Sequence, residues 1–258
     1  MYDGTGSAQT ITNNIDLSNK GGLVWIKQRS QDRDHALFDT ERGVGKYIRT
    51  NQQTEESTQS LAVSAFNSNG FSLGGSNGIT NNSSQEYVSW TFREQPKFFD
   101  VVTYTGDGNA GRTVSHSLGT TVGMLIIKST SNSSDWSVFH RSVGNDKYLA
   151  INENHSAQTD TTRFHSTTPS STTFTLGSGN AVNGSGRTYV AYLFAHNNND
   201  GGFGEPGDQD IIKCGSYTGN GSSTGPEIDL GFEPQLIIIK KSSGSANWTI
   251  VDTLRGIT

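Results

Sequence analysis

The sequence predicts an all-β protein built from tandem antiparallel β-sandwich repeats of jelly-roll or lectin-like type, and three observations carry that expectation. The chain repeats itself. LVWIKQRSQDRDHALFDTERG from Leu23, MLIIKSTSNSSDWSVFHRSVG from Met124 and LIIIKKSSGSANWTIVDTLRG from Leu236 are copies of one unit. Gly or Ser/Thr/Asn clusters interrupt the chain about every 8 to 12 residues, the spacing of short strands joined by polar turns. No window of a dozen residues shows the 3.6-residue period of an amphipathic helix.

Each unit opens at a tyrosine before a glycine-containing turn: Tyr2 in YDGTG, Tyr104 in YTGDG and Tyr217 in YTGNG. These fragments look like pieces of a calcium loop, but the spacing to a bidentate Glu is absent. A turn that needs positive φ explains the glycines more simply. The apolar runs LVWI, MLII and LIII follow, short and rich in branched and aromatic residues, as in a central strand buried on both faces. Each run ends at a lysine. Lys27, Lys128 and Lys240 mark the register at intervals of 101 and 112 residues, and their aliphatic stems suit edge protection or a structural contact. The next strand alternates, with Trp136, Val138 and His140 on one face and Ser137, Phe139 and Arg141 on the other. Thr and Glu in TEESTQSLAVS offer a start signal for a helical turn over residues 54–64. Phe71-Ser-Leu-Gly74 recurs as Phe174-Thr-Leu-Gly177, Asn81 as Asn183, and Tyr87-Val-Ser-Trp90 as Tyr189-Val-Ala-Tyr192 within a closing strand over residues 188–194. FFDVVTY (98–104) and IIKCGSY (211–217) read as strands that precede the second and third units.

The repeat divides the 258 residues into a first sandwich (1–98), a second (99–195), a Gly/Asn-rich linker (196–210) and an incomplete third repeat (211–258). The third copy stops after its second strand, so its unfinished edge is expected either to belong to something longer or to be completed by a neighbouring subunit. Only 31% of residues are apolar, against about 45–50% in ordinary globular proteins, so the cores must be thin. A net charge of −5 supplies no basic face for phosphate and argues against a nucleic-acid partner. No apolar stretch reaches the length of a membrane span, and no basic segment followed by an apolar run marks a secretory signal. Cys214 is alone, which excludes an intrachain disulfide and fits a small buried side chain.

Two constellations qualify as candidate sites. Asp39 and Arg42 in FDTERG return as Asp252 and Arg255 in VDTLRG, whereas the second unit has His140 and Val143 there. An Asp and an Arg three residues apart at a strand-to-turn junction make a charge-assisted hydrogen bond that fixes the turn. A sugar-binding or catalytic pair has the same appearance, but the second unit keeps the surrounding pattern without it, which favours a structural ion pair. Trp136 and Trp248 align with each other and with His35. Together with His140 they are the candidate glycan contacts, if their rings are exposed plates and not core. Nucleophile elbow, HExxH, Walker loop and zinc-spaced Cys/His clusters are all missing, and no cofactor is expected. Glu41, Glu55, Glu56 and Glu86 would form a glycosidase pair only through the tertiary fold.

Taken in order, Tyr104-Thr-Gly-Asp-Gly108, Ile126-Ile-Lys128, Phe38-Asp39-Thr-Glu-Arg42-Gly43, Asn69-Gly70-Phe71-Ser-Leu-Gly74 and Tyr189-Val-Ala-Tyr192 form a pattern with a known counterpart. It resembles an uncharacterised repeat domain of tail-fibre and other virion proteins of tailed phages, especially those of marine bacteria and cyanobacteria. The resemblance covers nearly the whole chain and implies a non-enzymatic structural virion protein, in a tail fibre, spike or capsid decoration. It also implies homo-oligomeric assembly, other virion proteins as partners and contact with host surface glycans. A secreted bacterial carbohydrate-binding module is the alternative, and a glycan depolymerase the third reading.

Overall fold

In the computed structural model, which describes residues 1–205 and 207–256, the first repeat contributes nine strands. They are β1 (Tyr2–Asp3), β2 (Gln9–Thr12), β3 (Gly22–Gln28), β4 (His35–Asp39), β5 (Lys46–Arg49), β6 (Ser57–Thr58), β7 (Val63–Asn67), β8 (Gly70–Leu73) and β9 (Glu86–Arg93). The run LVWI becomes β3, flanked by β9 and β4 in an antiparallel sheet of order β1-β9-β3-β4-β5-β6. A second antiparallel sheet has the order β2-β8-β7. Strand alternation divides the β3 side chains between two environments. Val24 and Ile26 join Phe38, Phe71, Leu73 and Tyr87 in a cluster drawn from both sheets. Leu23 and Trp25 point to the opposite face.

The second repeat runs β10 (Phe99–Thr105), β11 (Arg112–Ser115), β12 (Val122–Ser129), β13 (Ser137–His140), β14 (Lys147–Tyr148), β15 (Gln158–Thr159), α1 (Thr161–Phe164), β16 (Thr173–Leu176), α2 (Asn180–Asn183) and β17 (Thr188–Ala195). Its main sheet has the order β10-β17-β12-β13, and the predicted closing strand is β17. Leu125, Ile127, Phe139, Phe174, Leu176 and Leu193 fill a cluster equivalent to that of the first repeat. The two one-turn helices are the only ones among the described residues, and α1 follows β15 directly. The Asp160 carboxylate caps α1 by accepting from the Thr162 N–H at 3.0 Å. The helical turn expected over residues 54–64 does not form. There the Glu56 N–H donates to the Thr130 carbonyl of the second repeat at 3.0 Å, Ser57–Thr58 pairs with β5, and these distant partners override the local signal.

β18 (Leu236–Ile239) and β19 (Thr249–Asp252) form an antiparallel pair in the third repeat. Every residue of β12 is buried, whereas every residue of β18 is only half-buried. The difference follows from neighbours: β12 lies between β17 and β13, while β18 has β19 alone among the described residues. The expected strand over residues 211–217 is absent, although Ile212 and Cys214 still pack onto the core. Residues 196–210 are tied down at their start and are not a free tether. Asn197 is fully buried, donates to the Lys97 carbonyl at 2.9 Å and accepts from the Ile211 and Ile212 N–H groups. Residue 206 of this stretch and residues 257 and 258 of the third repeat lie outside the described residues.

The largest apolar cluster belongs to all three repeats. Leu23, Trp25, Val88 and Trp90 of the first meet Met124, Ile126, Trp136, Val138 and Tyr192 of the second, with Leu236, Ile238, Trp248 and Ile250 of the third packed against them. The chain is therefore nearly all β, with several antiparallel sheets that enclose one cluster within each of the first two repeats and share a third cluster between repeats. No helix among the described residues is long and apolar enough to cross a membrane.

Candidate functional site

The Asp/Arg pair predicted in the first repeat forms at the end of β4. Arg42 Nε donates to Asp39 Oδ2 at 2.6 Å and the Arg42 N–H to Asp39 Oδ1 at 2.8 Å, so the carboxylate holds the turn from two directions. The sequence did not reveal that this pair reaches the next repeat. Tyr192 Oη of β17 donates to Asp39 Oδ2 at 2.7 Å and accepts from Arg42 Nη2 at 3.2 Å. Arg42 also donates to the Leu37 carbonyl and to Glu56. Asp39 is fully buried and Arg42 nearly so. Burial works against the guanidinium charge, but Asp39, Tyr192 and Glu56 outweigh it and raise the Arg42 pKa. A charged pair with all of its partners in place is a fastener and leaves no free group for chemistry.

Trp136, a candidate glycan plate, is fully buried. Its indole N–H donates to the Arg49 and Gln52 carbonyls of the first repeat at 3.1 and 3.2 Å, so it offers no face to a sugar. Trp248 is half-buried and donates to the Ala150 carbonyl of the second repeat at 2.8 Å. The lysines follow the same rule. Lys128, fully buried, donates to the Gln53 carbonyl at 3.1 Å, and Lys240 to Asn154 at 3.2 Å. Burial pushes the Lys128 ammonium down to about 8. Two backbone contacts repeat as well: Ser134 N–H to Gln53 and Glu56 N–H to Thr130 at the first junction, Ala246 N–H to Asn154 and Ala157 N–H to Ser242 at the second. Each second-junction group sits at the repeat interval from its first-junction counterpart. The chain thus repeats an interface as well as a unit.

The third repeat returns to the first. Asp252 and Arg255 make the predicted pair at 2.6 Å, Trp90 Nε1 donates to Asp252 Oδ2 at 3.0 Å, and the Arg255 guanidinium lies over the Trp90 ring. Burial alone would raise the Asp252 pKa, but hydrogen bonds from Arg255 and Trp90 hold it below the ordinary range. Trp90 and Tyr192 occupy equivalent places in β9 and β17. The Asp/Arg pairs therefore run in one cyclic sense, from the first repeat to the second and from the third to the first. In the second repeat, His140 is half-buried and its Nδ1 accepts from the Ser142 N–H at 3.2 Å. Burial, with Arg141 and His196 nearby, pushes its pKa down to about 4. His35, in the tryptophan position of the first repeat, accepts from Trp25 Nε1 at 3.0 Å.

A family model described as a domain of unknown function (DUF7483) matches residues 1–257. The chain belongs to the DUF7483 family. No curated protein and no solved structure matches it. The match extends across all three repeats, so the DUF7483 region includes both junctions and the core they share.

Two shallow grooves lie on this DUF7483 chain, one of about 640 Å³ within the first repeat and one of about 350 Å³ between the first and second, and both are lined by Glu41 and Glu94. Asp100 and His116 line the smaller. Burial pushes the Glu94 carboxyl from 4.5 up to about 7, reinforced by Asp100 and Glu41. Glu94 and Asp100 flank the tight turn closed by the Gln95–Phe99 bridge between β9 and β10, and Glu41 comes to them from the end of β4. Among the described residues no three His, Cys, Asp or Glu side chains are grouped to hold a metal ion. Cys214 lies against Gly123 and its thiol is pushed up to about 12 by burial, a packing role.

Proposed function

We propose that this chain is a non-enzymatic structural protein of a tailed-phage virion, in a tail fibre, spike or capsid decoration, and that its units are jelly-roll or lectin-like β-sandwich repeats. The observation that carries the reading is the duplicated junction. A tryptophan, a lysine and two backbone contacts are reused at the repeat interval to join successive copies, which is how a chain builds a rigid array from one design. The candidate glycan residues support it too: Trp136 and Trp248 spend their indole N–H groups on the junctions, which weighs against a carbohydrate-binding module. The resemblance to virion repeat domains supplies the setting, and homo-oligomers with other virion proteins as partners follow from that setting. Light scattering tests assembly, and mass spectrometry of purified particles tests location. A stable higher oligomer, with peptides of this chain in the particles, is expected. A monomer near 27.8 kDa that is absent from particles contradicts the reading.

A further inference from the structure

Two kinds of link join the repeats, and each has a direction. In the first kind a tryptophan of one repeat donates to a backbone carbonyl of the repeat before it: Trp136 to Arg49, and Trp248 to Ala150. Arg49 and Ala150 are equivalent, one interval of 101 residues apart. In the second kind the Asp/Arg pair of one repeat meets the closing-strand aromatic of the repeat after it. Asp39 and Arg42 meet Tyr192 of the second repeat, and Asp252 and Arg255 meet Trp90 of the first. Both kinds join the first repeat to the second, so they belong to one interface and describe one step. The tryptophan link takes that step again from the second repeat to the third. The Asp/Arg link takes it from the third repeat, and it arrives at the first. Three like steps return to the start, which makes each of them a rotation of about 120°.

We propose that the three repeats close head to tail into a ring about a pseudo-threefold axis, and that Asp252 and Arg255 are the clasp that binds the third repeat to Trp90 of the first. Around the first repeat, the third stands where a preceding repeat belongs. His35 holds the tryptophan position there, on the side that Trp136 and Trp248 turn toward the repeat before them, and burial, Lys27 and Arg255 push its imidazole down to about 4. Asp252 is buried in this contact, and Leu236, Ile238, Trp248 and Ile250 of the third repeat pack on the cluster that contains Trp25 and Trp90. A head-to-tail interface builds an open row unless its rotation closes. Here it closes after three units, so the chain is the single-polypeptide counterpart of a cyclic trimer. Larger assemblies then grow by contacts between rings, because a fourth unit added through the same interface would fall on the first. The inference concerns how the repeats meet, goes beyond the virion reading and stands or falls separately from it.

Hydrogen–deuterium exchange of the full chain tests the clasp from its far side. Trp90→Phe keeps an apolar ring and removes the N–H that Asp252 accepts, 162 residues away in sequence. Exchange over β18 and β19 should quicken about tenfold, as expected for loss of one hydrogen bond to a charged group. In an Asp252→Ala background the same substitution should add less than about twofold, since its partner is already gone. Protection of the third repeat should be unchanged on about tenfold dilution, as an intramolecular contact requires. Asp252→Ala alone gives a second reading that leaves the first repeat intact. The Trp90 indole N–H should then shift in the nitrogen–proton NMR spectrum and exchange about tenfold faster, while that of Trp136 stays in place. Unchanged exchange in the third repeat, equal factors in the two backgrounds, or an unmoved Trp90 N–H would overturn the ring. So would protection that is lost on dilution, which would put the contact between two copies of the chain.

Discussion

Asp39 and Arg42 illustrate what a pair of residues does when burial removes water from around it. Three buried groups share the charge, and each of Asp39, Arg42 and Tyr192 satisfies the other two. Tyr192→Phe removes one hydroxyl and should lower the unfolding free energy by about 1.5–3 kcal/mol, the worth of a hydrogen bond to a charged group. Asp39→Ala strands the buried guanidinium and should cost about 3–5 kcal/mol. Urea denaturation of both variants measures the two values. Glu94 acts in the opposite direction. Its native pKa near 7 exceeds the unfolded value of 4.5, so the native state keeps a proton that the unfolded state gives up. Stability from this group is fully present below pH 4.5 and is lost as pH rises to 7. Glu94→Gln should therefore raise the urea midpoint at pH 8 and leave it nearly unchanged at pH 4.

At the scale of the element, the opening turn shows how a repeated motif is held. The Asn183 side chain accepts from the Asp107 N–H at 3.0 Å and donates to the Asn109 and Gly177 carbonyls, and Tyr104 Oη donates to the Val182 carbonyl. Asn81 and Tyr2 do the same work in the first repeat, receiving the Thr5 N–H and reaching the Ser7 and Thr80 carbonyls. Gly106 is glycine because a Cβ there would collide with the Gly184 carbonyl. Asn183→Ala and Asn81→Ala should each cost about 1 kcal/mol or more by removing these part-buried turn bonds, and thermal melts should show losses for both. Much of this scale was legible in the sequence. The apolar runs gave β3 and β12, and TYVAYLF gave β17, because their patterns record burial directly. Residues 54–64 and 211–217 were misread because their conformations are decided by partners far away in the chain. The first bonds to Thr130. The second has, among the described residues, no counterpart of the β17 strand that pairs with β10.

For the whole molecule, the division into separate repeats understates the connection between them. Trp25, Trp90 and Tyr192, read one at a time, belong to strands of their own units, yet they meet Trp136 in one cluster. The Asp/Arg pairs were visible as pairs, but their cross-repeat partners were not, since nothing in local spacing connects Asp39 to Tyr192 or Trp90 to Asp252. The exposed-plate reading of Trp136 failed for the same reason: alternation assigns a face, and only the packed array shows that another repeat covers it. A shared core predicts that the first and second repeats cannot unfold independently. Urea unfolding followed both by tryptophan fluorescence, which reports on the shared core, and by far-ultraviolet circular dichroism, which reports on all the sheets, tests this most directly. Coincident single transitions are expected, shifted together to lower urea by Tyr192→Phe. Two separated transitions, with Tyr192→Phe moving only one of them, would show that the repeats are independent domains and contradict the account.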